Sequence, residues 1–267
     1  MLPTPAGAGD ETTLPSVQLG TTRVHAVTEA ECVAHVLAQL EAGRGGWLLT
    51  LNLDHLRLIA RVPDFAALCA SATLVVADGM PLVWASWLQG TPLPERVAGS
   101  NLIWRLTAAA AQRGRSIFLL GGMPGTAERA AAVLRQRSPG LQIDGVLCPP
   151  LGFDRQRDEV ARVCAAVCAA APDIVYVALG KPKQERLICE LRSRLPQTWF
   201  VGLGISFSFV SGTVRRAPLW MQRVGLEWLH RLTQEPERLA RRYLVDGLPF
   251  AVRFLGESAL RRLRRQT

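Results

Sequence analysis

The sequence has few of the residue patterns that build metal centres or covalent cross-links. Its six cysteines are spread over 267 residues with no C-x-x-C pair, and its four histidines are scattered, so neither a disulfide framework nor a zinc site has the required spacing. The chain also lacks a D-x-D metal motif. We therefore expect no metal site, and free thiols of the kind found in a reducing cytosol.

Long apolar runs of the kind that cross a membrane are also missing. A stretch of 20 uncharged residues lies between Arg194 and Arg215, but its proline, glycines and hydroxyl groups predict a buried strand and a loop. The opening residues, MLPTPAGAGDETTLP, have neither the basic nor the apolar segment of a secretion signal. We expect residues 1–15 to form a disordered lead and the protein to stay in the cytoplasm.

Lysine is scarce, and the positive charge is concentrated at one end of the chain. Residues 1–212 carry 19 basic and 17 acidic side chains, whereas residues 213–267 carry 12 arginines and five acids. A nearly neutral body with a basic end does not favour nucleic-acid binding, because no base-reading or stacking motif accompanies the arginines. A nucleic-acid-binding module that uses the arginine-rich end is kept as a minor alternative.

Six apolar runs with strand character alternate with amphipathic helical segments. The runs are WLLTLNL (47–53), TLVVA (73–77), SIFLLG (116–121), LQIDGVL (141–147), DIVYVALG (173–180) and TWFVGLG (198–204). Strands separated by helices predict an α/β fold of Rossmann-like type, with a mainly parallel sheet covered by helices on both faces. We assign residues 16–212 to this α/β core.

The composition of the sequence changes after Gly212, and we call residues 213–267 the C-terminal appendage. Pro218 suits the start of a helix, and apolar residues from Trp220 to Leu232 follow at helical spacing. After Glu235-Pro236, a second helix would carry Leu239, Tyr243 and Leu244 on one side. This pattern is typical either of a helical pair docked on the sheet or of helices that lie on a membrane surface.

Ligands of such folds bind beyond the carboxyl ends of the parallel strands, where loops meet helix N-termini. In TLVVADGMPL, Asp78 follows a buried strand directly, and it either caps the next helix or serves the site. In FLLGGMPG, Gly121 and Gly122 form a turn that could approach a phosphate.

The segment GKPKQE contains both lysines of the chain, Lys181 and Lys183. They flank Pro182 at the start of a predicted helix, where an anion would bind, although a solvated turn in which Gln184 and Glu185 fill the first helical turn would also explain them. Taken with the glycine-rich turn, the segment favours a diphosphate ligand. The GLGISF turn after residue 201 only partly matches a dinucleotide fingerprint, so a Rossmann oxidoreductase is a further alternative.

Seven blocks, in order and at close to the expected spacing, resemble the WecG/TagA/CpsF family of bacterial glycosyltransferases. They are TLN (50–52), ADGMPLVWA (77–85), LPERVAGSNL (93–102), FLLGGMPG (118–125), GKPKQE (180–185), GISFSFVSGTVRRAP (204–218) and GLEWLHRLTQEPERLARRYL (225–244). The resemblance extends from about Gly46 to Leu244. Departures are modest, such as His230 where the family often has tyrosine.

The resemblance implies an enzyme that needs neither a metal nor another cofactor. Such enzymes transfer a sugar, with inversion, from a UDP-sugar to a polyprenyl-diphosphate-linked saccharide at the cytoplasmic membrane face, in the synthesis of a surface polysaccharide. Donors of the N-acetylmannosamine type are favoured, and its uronic acid or glucose are alternatives. The partners would be these two substrates and the membrane surface, with no nucleic acid, and the sequence leaves the oligomeric state open, a homo-oligomer included.

The resemblance also implies roles for particular residues. Asp78 corresponds to the catalytic base, and Thr50 and Asn52 line the same pocket. The substrate-binding residues would be Arg96, Gln184 and the appendage arginines that reach the diphosphates, Arg231, Arg238 and Arg241. Gly121, Gly122, Lys181 and Glu185 complete the predicted substrate-binding set. A sugar hydroxyl group is a poor nucleophile, so its attack on the anomeric carbon requires a carboxylate that accepts its proton. One aspartate at a strand end would suffice for this role.

Overall fold

The structure, a computed structural model, describes residues 14–266 and contains a six-stranded parallel sheet. The predicted lead therefore lies outside the described residues except for its last two positions. The sheet has the order β4-β3-β8-β7-β5-β6. Its strands are β3 (Gly46–Leu51), β4 (Leu74–Ala77), β5 (Ser116–Gly121), β6 (Gln142–Leu147), β7 (Ile174–Ala178) and β8 (Trp199–Gly202). All six strands coincide with the predicted runs, and the α/β prediction is confirmed.

Helices cover both faces of the sheet. One face is packed by α1 (Glu29–Glu41), α5 (Gly99–Gln112), α6 (Thr126–Arg137) and α9 (Ser206–Val210). The other is packed by α2 (Leu53–Ile59), α3 (Pro63–Ala70), α4 (Met80–Leu88), α7 (Arg157–Ala170) and α8 (Lys183–Arg194). Because successive strand residues point to opposite faces, Leu48 joins the first core and Trp47 and Leu49 join the second. A 3-10 turn at Phe153–Arg155 precedes α7.

A short antiparallel hairpin, β1 (Ser16–Leu19) and β2 (Thr22–His25), precedes the sheet and was not predicted. It packs beside β4, the edge strand of the sheet. The His25 ring nitrogen Nδ1 accepts a hydrogen bond from the Val75 amide at 3.0 Å. The hairpin therefore covers an edge that would otherwise leave backbone groups exposed.

The C-terminal appendage is helical, but its first predicted helix is interrupted. It contains α10 (Leu219–Arg223), α11 (Glu227–Gln234), α12 (Pro236–Ala240), a π-helical turn (Arg241–Gly247) and α13 (Leu248–Gln266). The break falls at Gly225, which has φ 75° and lies so close to Met80 and Trp84 that a Cβ would be 2.7 Å from the Met80 Cβ. The apolar spacing through Leu232 thus spans two helices.

The appendage is docked on the body through its last helix. Phe254 is 4% exposed and belongs to the second core, where Phe250 and Leu255 pack beside it. Leu239 is fully buried. No helix within residues 14–266 is long and apolar enough to span a bilayer.

The docked position of α13 predicts unequal effects of two truncations. We expect Phe254→Ala to lower the free energy of unfolding by about 3 kcal/mol or more, because it opens a cavity in the core. Leu260→Ala should change it by less than about 0.5 kcal/mol, since Leu260 is 54% exposed. Urea unfolding of both variants checks this, and equally small effects would mean that α13 is not docked as described.

Candidate functional site

The carboxyl ends of β3, β4, β5 and β7 bring most of the predicted site residues to one edge of the sheet. Asp78 and Asn52 each follow the last residue of an adjacent parallel strand, and the Asp78 amide donates to the Leu51 carbonyl at 2.7 Å. The Lys181 ammonium, beyond the end of β7, donates to the Asn52 Oδ1 at 3.1 Å. The carboxyl edge therefore gathers a carboxylate, an amide and an ammonium group that lie far apart in the sequence.

The Asp78 carboxylate does not cap the helix that follows it. Helix α4 has no side-chain hydrogen bond at its N-cap, Gly79. Instead, the Asp78 Oδ2 accepts a hydrogen bond from the amide of Gly99, the first residue of α5, at 3.4 Å. The positive end of that helix dipole stabilises a carboxylate at this place. Capping of α4 therefore does not explain Asp78.

Asp78 is poised to exchange a proton near neutral pH. The pKa of its carboxyl group is raised from 3.8 to about 6. Burial is the main cause and the nearby Glu227 carboxylate adds to it, while Arg96 and the Gly99 amide oppose the rise. A carboxyl group with such a pKa is suited to accept a proton from a hydroxyl group and later release it.

Arg96 reaches the site as part of a bridge to the appendage. Its Nη1 donates to the Glu227 Oε2 at 3.1 Å, while the Arg216 Nε donates to the other carboxylate oxygen of Glu227, also at 3.1 Å. The Arg216 Nη1 donates to the Asn101 Oδ1 at 2.6 Å. One carboxylate from α11 thus holds two guanidinium groups, and Arg96 lies near enough to influence Asp78.

The Thr50 side chain makes a hydrogen bond between two neighbouring strands of the sheet. It is 6% exposed, and its hydroxyl group donates to the Gly202 carbonyl of β8 at 2.8 Å. A Cβ placed on Gly99 would lie 3.6 Å from the Thr50 Oγ1. Thr50 therefore lies beneath the amide that binds Asp78, and its role in catalysis stays a prediction.

Lys181 lies in a compact charged cluster. Its ammonium group is 3.0 Å from the Asp54 Oδ2 and 3.4 Å from the His55 Nδ1. Burial lowers the pKa of Lys181, and Asp54 opposes that effect. Burial also lowers the pKa of His55, to about 4, with help from the Lys181 charge, so the imidazole is neutral at neutral pH.

Gln184 and Glu185 lie deeper than a solvated turn would place them. Gln184 is 4% exposed and packs against Gly202, and its Nε2 donates to the Glu185 Oε1 at 3.3 Å. Glu185 is fully buried beside His55. Within residues 14–266, the Gln184 Oε1 and the Glu185 Oε2 have no hydrogen-bond partner. Buried polar atoms without partners are uncommon and often mark functional sites.

Close packing requires glycine at positions 121 and 122. A Cβ on Gly121 would lie 2.6 Å from the Ala178 carbonyl oxygen, and one on Gly122 would lie 2.6 Å from the Thr126 Oγ1. Both have positive φ angles, 102° and 87°. The Gly122 amide donates to Ala178 at 2.8 Å and is thus already bonded, so phosphate binding by this turn stays a prediction.

The three appendage arginines of the predicted site differ in their surroundings. Arg231 is 3.8 Å from Glu235, and Arg238 is ion-paired with the same carboxylate. Arg241 is exposed and has no hydrogen bond or ion pair within residues 14–266. The three lie on helical segments around the turn at Glu235, and their binding of diphosphates stays a prediction.

Two of the cavities formed by residues 14–266 lie at opposite ends of the strands. One of about 560 Å³ is lined by Leu151, Gly152, Asp154, Arg155, Lys181, Pro182 and Lys183. The larger, about 840 Å³, includes Gly46 and Thr198, at the amino ends of β3 and β8. We place the candidate site at the carboxyl edge, despite the smaller cavity, because the perturbed carboxylate and the helix N-termini are there.

Several residues of the charged clusters were not predicted from the sequence. Glu227 pairs with both Arg96 and Arg216, Arg216 donates to Asn101, and Arg242 pairs with Asp54. Arg216, Asn101, Glu227 and Arg242 all fall within the seven blocks. Their pairings join residues more than 100 positions apart in most cases, which a single sequence does not reveal.

Comparison with known proteins gives the family of this chain. The profile described as the Glycosyl transferase WecG/TagA/CpsF family matches residues 17–265. Two relatives carry the name N-acetylglucosaminyldiphosphoundecaprenol N-acetyl-beta-D-mannosaminyltransferase. The one from Bacillus spizizenii is 34% identical over 213 residues, 80% of each chain. The one from Bacillus subtilis is 32% identical over 197 residues, 74% of this chain and 75% of its own.

The family match covers nearly all of the described chain, including the carboxyl-edge site and the appendage. It also confirms the resemblance carried by the seven blocks. The chain belongs to the WecG/TagA/CpsF family of glycosyl transferases.

Proposed function

We propose that the protein transfers N-acetylmannosamine from UDP-N-acetylmannosamine to an undecaprenyl-diphosphate-linked N-acetylglucosamine. Support comes from family membership and from two relatives whose name specifies the acceptor and the transferred N-acetyl-beta-D-mannosaminyl group. The observation that carries the chemistry is the Asp78 carboxylate, held at a strand end with a pKa of about 6. Family membership removes the basis for the oxidoreductase and nucleic-acid alternatives.

In the proposed reaction, Asp78 is the general base. It accepts the proton of the acceptor hydroxyl group while that oxygen bonds to the anomeric carbon and the bond from this carbon to UDP breaks. A single displacement of this kind inverts the anomeric centre. The Gly99 amide orients the carboxylate by a hydrogen bond, whereas Arg96 is ion-paired with Glu227 and not with Asp78.

Departing UDP carries negative charge, and cationic side chains supply the compensation. Lys181 and Arg96 lie at the carboxyl edge, and Arg241 is an exposed guanidinium in the appendage. Within residues 14–266, no three histidine, cysteine or acidic side chains converge as metal ligands would. Transfer without a metal ion is part of this proposal, and it rests on these cationic side chains.

The appendage supplies a surface for the membrane in which the acceptor lipid is held. Eleven large apolar side chains between Leu219 and Leu263 are exposed, among them Trp220 at 61% and Val252 at 66%. Arginines are interspersed among them in the sequence. Apolar side chains beside arginines favour binding to the headgroup layer of a membrane. We propose that this face lies on the cytoplasmic side of the membrane.

The first prediction concerns the base. Asp78→Asn should lower kcat by about 100-fold or more, because the amide cannot accept the proton. Its Tm should be unchanged or higher, since the buried charge is removed while the Gly99 hydrogen bond can be kept. UDP release from UDP-N-acetylmannosamine with a polyprenyl-diphosphate-linked N-acetylglucosamine acceptor is the assay.

A matched Asp64→Asn variant on the surface helix α3 is the control for the amide substitution. If Asp78→Asn retains turnover, or if it unfolds at the assay temperature, then Asp78 has a structural role and is not the base. No turnover by the wild-type protein with any UDP-sugar would contradict the proposed function itself.

The second prediction concerns pH. The base acts only when it is deprotonated, and its pKa is raised to about 6. The value of kcat/KM should therefore be constant above pH 7 and fall about tenfold per pH unit below pH 6. A profile still flat at pH 5 would mean that a group other than Asp78 takes the proton.

The third prediction concerns the membrane surface. Trp220→Asp should weaken binding to vesicles of anionic phospholipid by about tenfold, since it removes a large apolar side chain and adds a repelled charge. Val62→Asp, at an exposed apolar residue of the body, should bind as the wild-type protein does. Vesicle cosedimentation measures the binding of both variants. Equal binding of the two would mean that the appendage does not contact the membrane.

A further inference from the structure

Three acceptors surround the ammonium group of Lys181, one for each of its protons. They are the Asp54 Oδ2 at 3.0 Å, the Asn52 Oδ1 at 3.1 Å and the His55 Nδ1 at 3.4 Å. The Lys181 side chain is 11% exposed. An ammonium group only donates, so each of these atoms must act as an acceptor. The place of Lys181 at the carboxyl edge is therefore set by these protein groups.

The same contacts determine which ring nitrogen of His55 carries the proton. The Asn52 backbone amide also donates to the Nδ1, at 3.3 Å, and a nitrogen that accepts from a donor carries no proton itself. Since the pKa of His55 is lowered to about 4, mainly by burial, the ring is neutral at pH 7 and has a single N–H group. That proton is therefore on the Nε2.

The opposite tautomer has one contact in its favour and two against it. A proton on the Nδ1 would be donated to the Asn52 Oδ1 at 3.0 Å. The same proton would face the Lys181 ammonium and the Asn52 amide, which are both donors. The group beside the Nε2 thus influences which of the two forms prevails.

Glu185 is the group that faces the Nε2. Its Oε1 is 3.5 Å from the Nε2, and its side chain has no exposed surface. Within residues 14–266, neither the Nε2 nor the Glu185 Oε2 has a hydrogen-bond partner. A buried carboxylate attracts the proton to the nearer ring nitrogen, because charges act strongly where water is excluded. The His55 ring also stacks on Phe65, with ring centroids 6.1 Å apart, so packing holds its plane.

Capping of α2 does not explain this arrangement. Asn52 is the N-cap, and its Oδ1 accepts from the His55 amide at 3.2 Å. A cap of that kind needs no acid behind the ring. A buried carboxylate costs free energy unless it has partners, and Glu185 has no surface on which to contact a ligand. Its effect on the carboxyl edge therefore passes through His55.

We propose that Glu185 and His55 are positioning residues of the carboxyl-edge site. Glu185 holds the His55 proton on the Nε2, and the bare Nδ1 then fixes the Lys181 ammonium beside Asn52. The predicted role of Glu185 in substrate binding thus becomes an indirect one. The use of Lys181 and Asn52 for a UDP-sugar rests on the proposed function, whereas the tautomer of the ring does not.

The first test records the ring nitrogens of His55 by nitrogen-15 NMR, in the full chain with labelled histidine and without substrate. At pH 7 the wild-type protein should show the neutral tautomer with its proton on the Nε2. Glu185→Leu should raise the fraction with the proton on the Nδ1 about tenfold, since a hydrogen bond to a charged acceptor is lost. Glu185→Gln should stay close to the wild-type ratio, because its amide oxygen still accepts.

The signal of His55 among the four histidines is assigned by its absence in His55→Asn. A wild-type proton on the Nδ1, or a tautomer ratio that does not change in Glu185→Leu, would overturn the proposal. The first of these outcomes needs no variant of Glu185, so the test stands even if Glu185→Leu fails to fold.

The second test separates KM from kcat in the assay of UDP release. Glu185→Leu should raise the KM for the donor about tenfold with kcat within about twofold, since it displaces Lys181 and leaves Asp78 in place. Glu185→Gln should recover most of the lost affinity. The matched control is Glu190→Leu on the same helix, which breaks an exposed pair with Arg194. A loss in kcat alone would contradict positioning of Lys181.

A double variant tests whether Glu185 acts through the ring. His55→Asn places an amide oxygen near the position of the Nδ1, so it keeps an acceptor for Lys181 but has no ring proton for Glu185. Adding Glu185→Leu to His55→Asn should therefore raise the KM no further, as expected for residues that act as one unit. Multiplied effects would mean that Glu185 acts by another route and would overturn the proposal.

The outcomes separate this inference from the proposed function. Absence of UDP-sugar binding by the wild-type protein would contradict the proposed function. In that case the NMR experiment would still decide whether Glu185 sets the tautomer of His55.

Discussion

The register of the parallel strands is the constraint on which the site depends. Leu51 pairs with Ala77 across β3 and β4, so the residues that follow them, Asn52 and Asp78, leave the sheet side by side. The Thr50 hydroxyl group fixes β3 to β8 from within. A shift by one residue would turn these side chains to other faces of the sheet. The apolar runs that hold the register therefore also determine the chemistry at its edge.

Burial and charge act against each other across this edge. The Asp78 carboxylate has a raised pKa because burial outweighs the nearby arginine, whereas Asp54 has a lowered pKa because two cations outweigh burial. One carboxyl group is thus prepared to take up a proton, and the other stays ionised as a structural anion. The difference arises from the partners of each group and not from its residue type.

The strands and the candidate base were predictable from the sequence because their signals are local. A continuous apolar run such as that before Asp78 predicts a buried strand, and family blocks identify the carboxylate that follows it. The interruption at Gly225 was missed because apolar spacing continues through it, and the reason for the break is contact with Met80 and Trp84. The pairing of Arg242 with Asp54 joins residues 188 positions apart, which no local pattern contains.

Because lysine is scarce in this chain, chemical modification of lysine would be specific to this site. The only two lysine side chains of the chain flank Pro182, one held inside the Asp54 cluster and the other placed over the Phe153 ring at 5.9 Å. An amine-reactive reagent applied to the folded protein would therefore modify lysine only in this loop. The rate at which Lys181 is modified, relative to that of Lys183, would report how often the charged cluster opens.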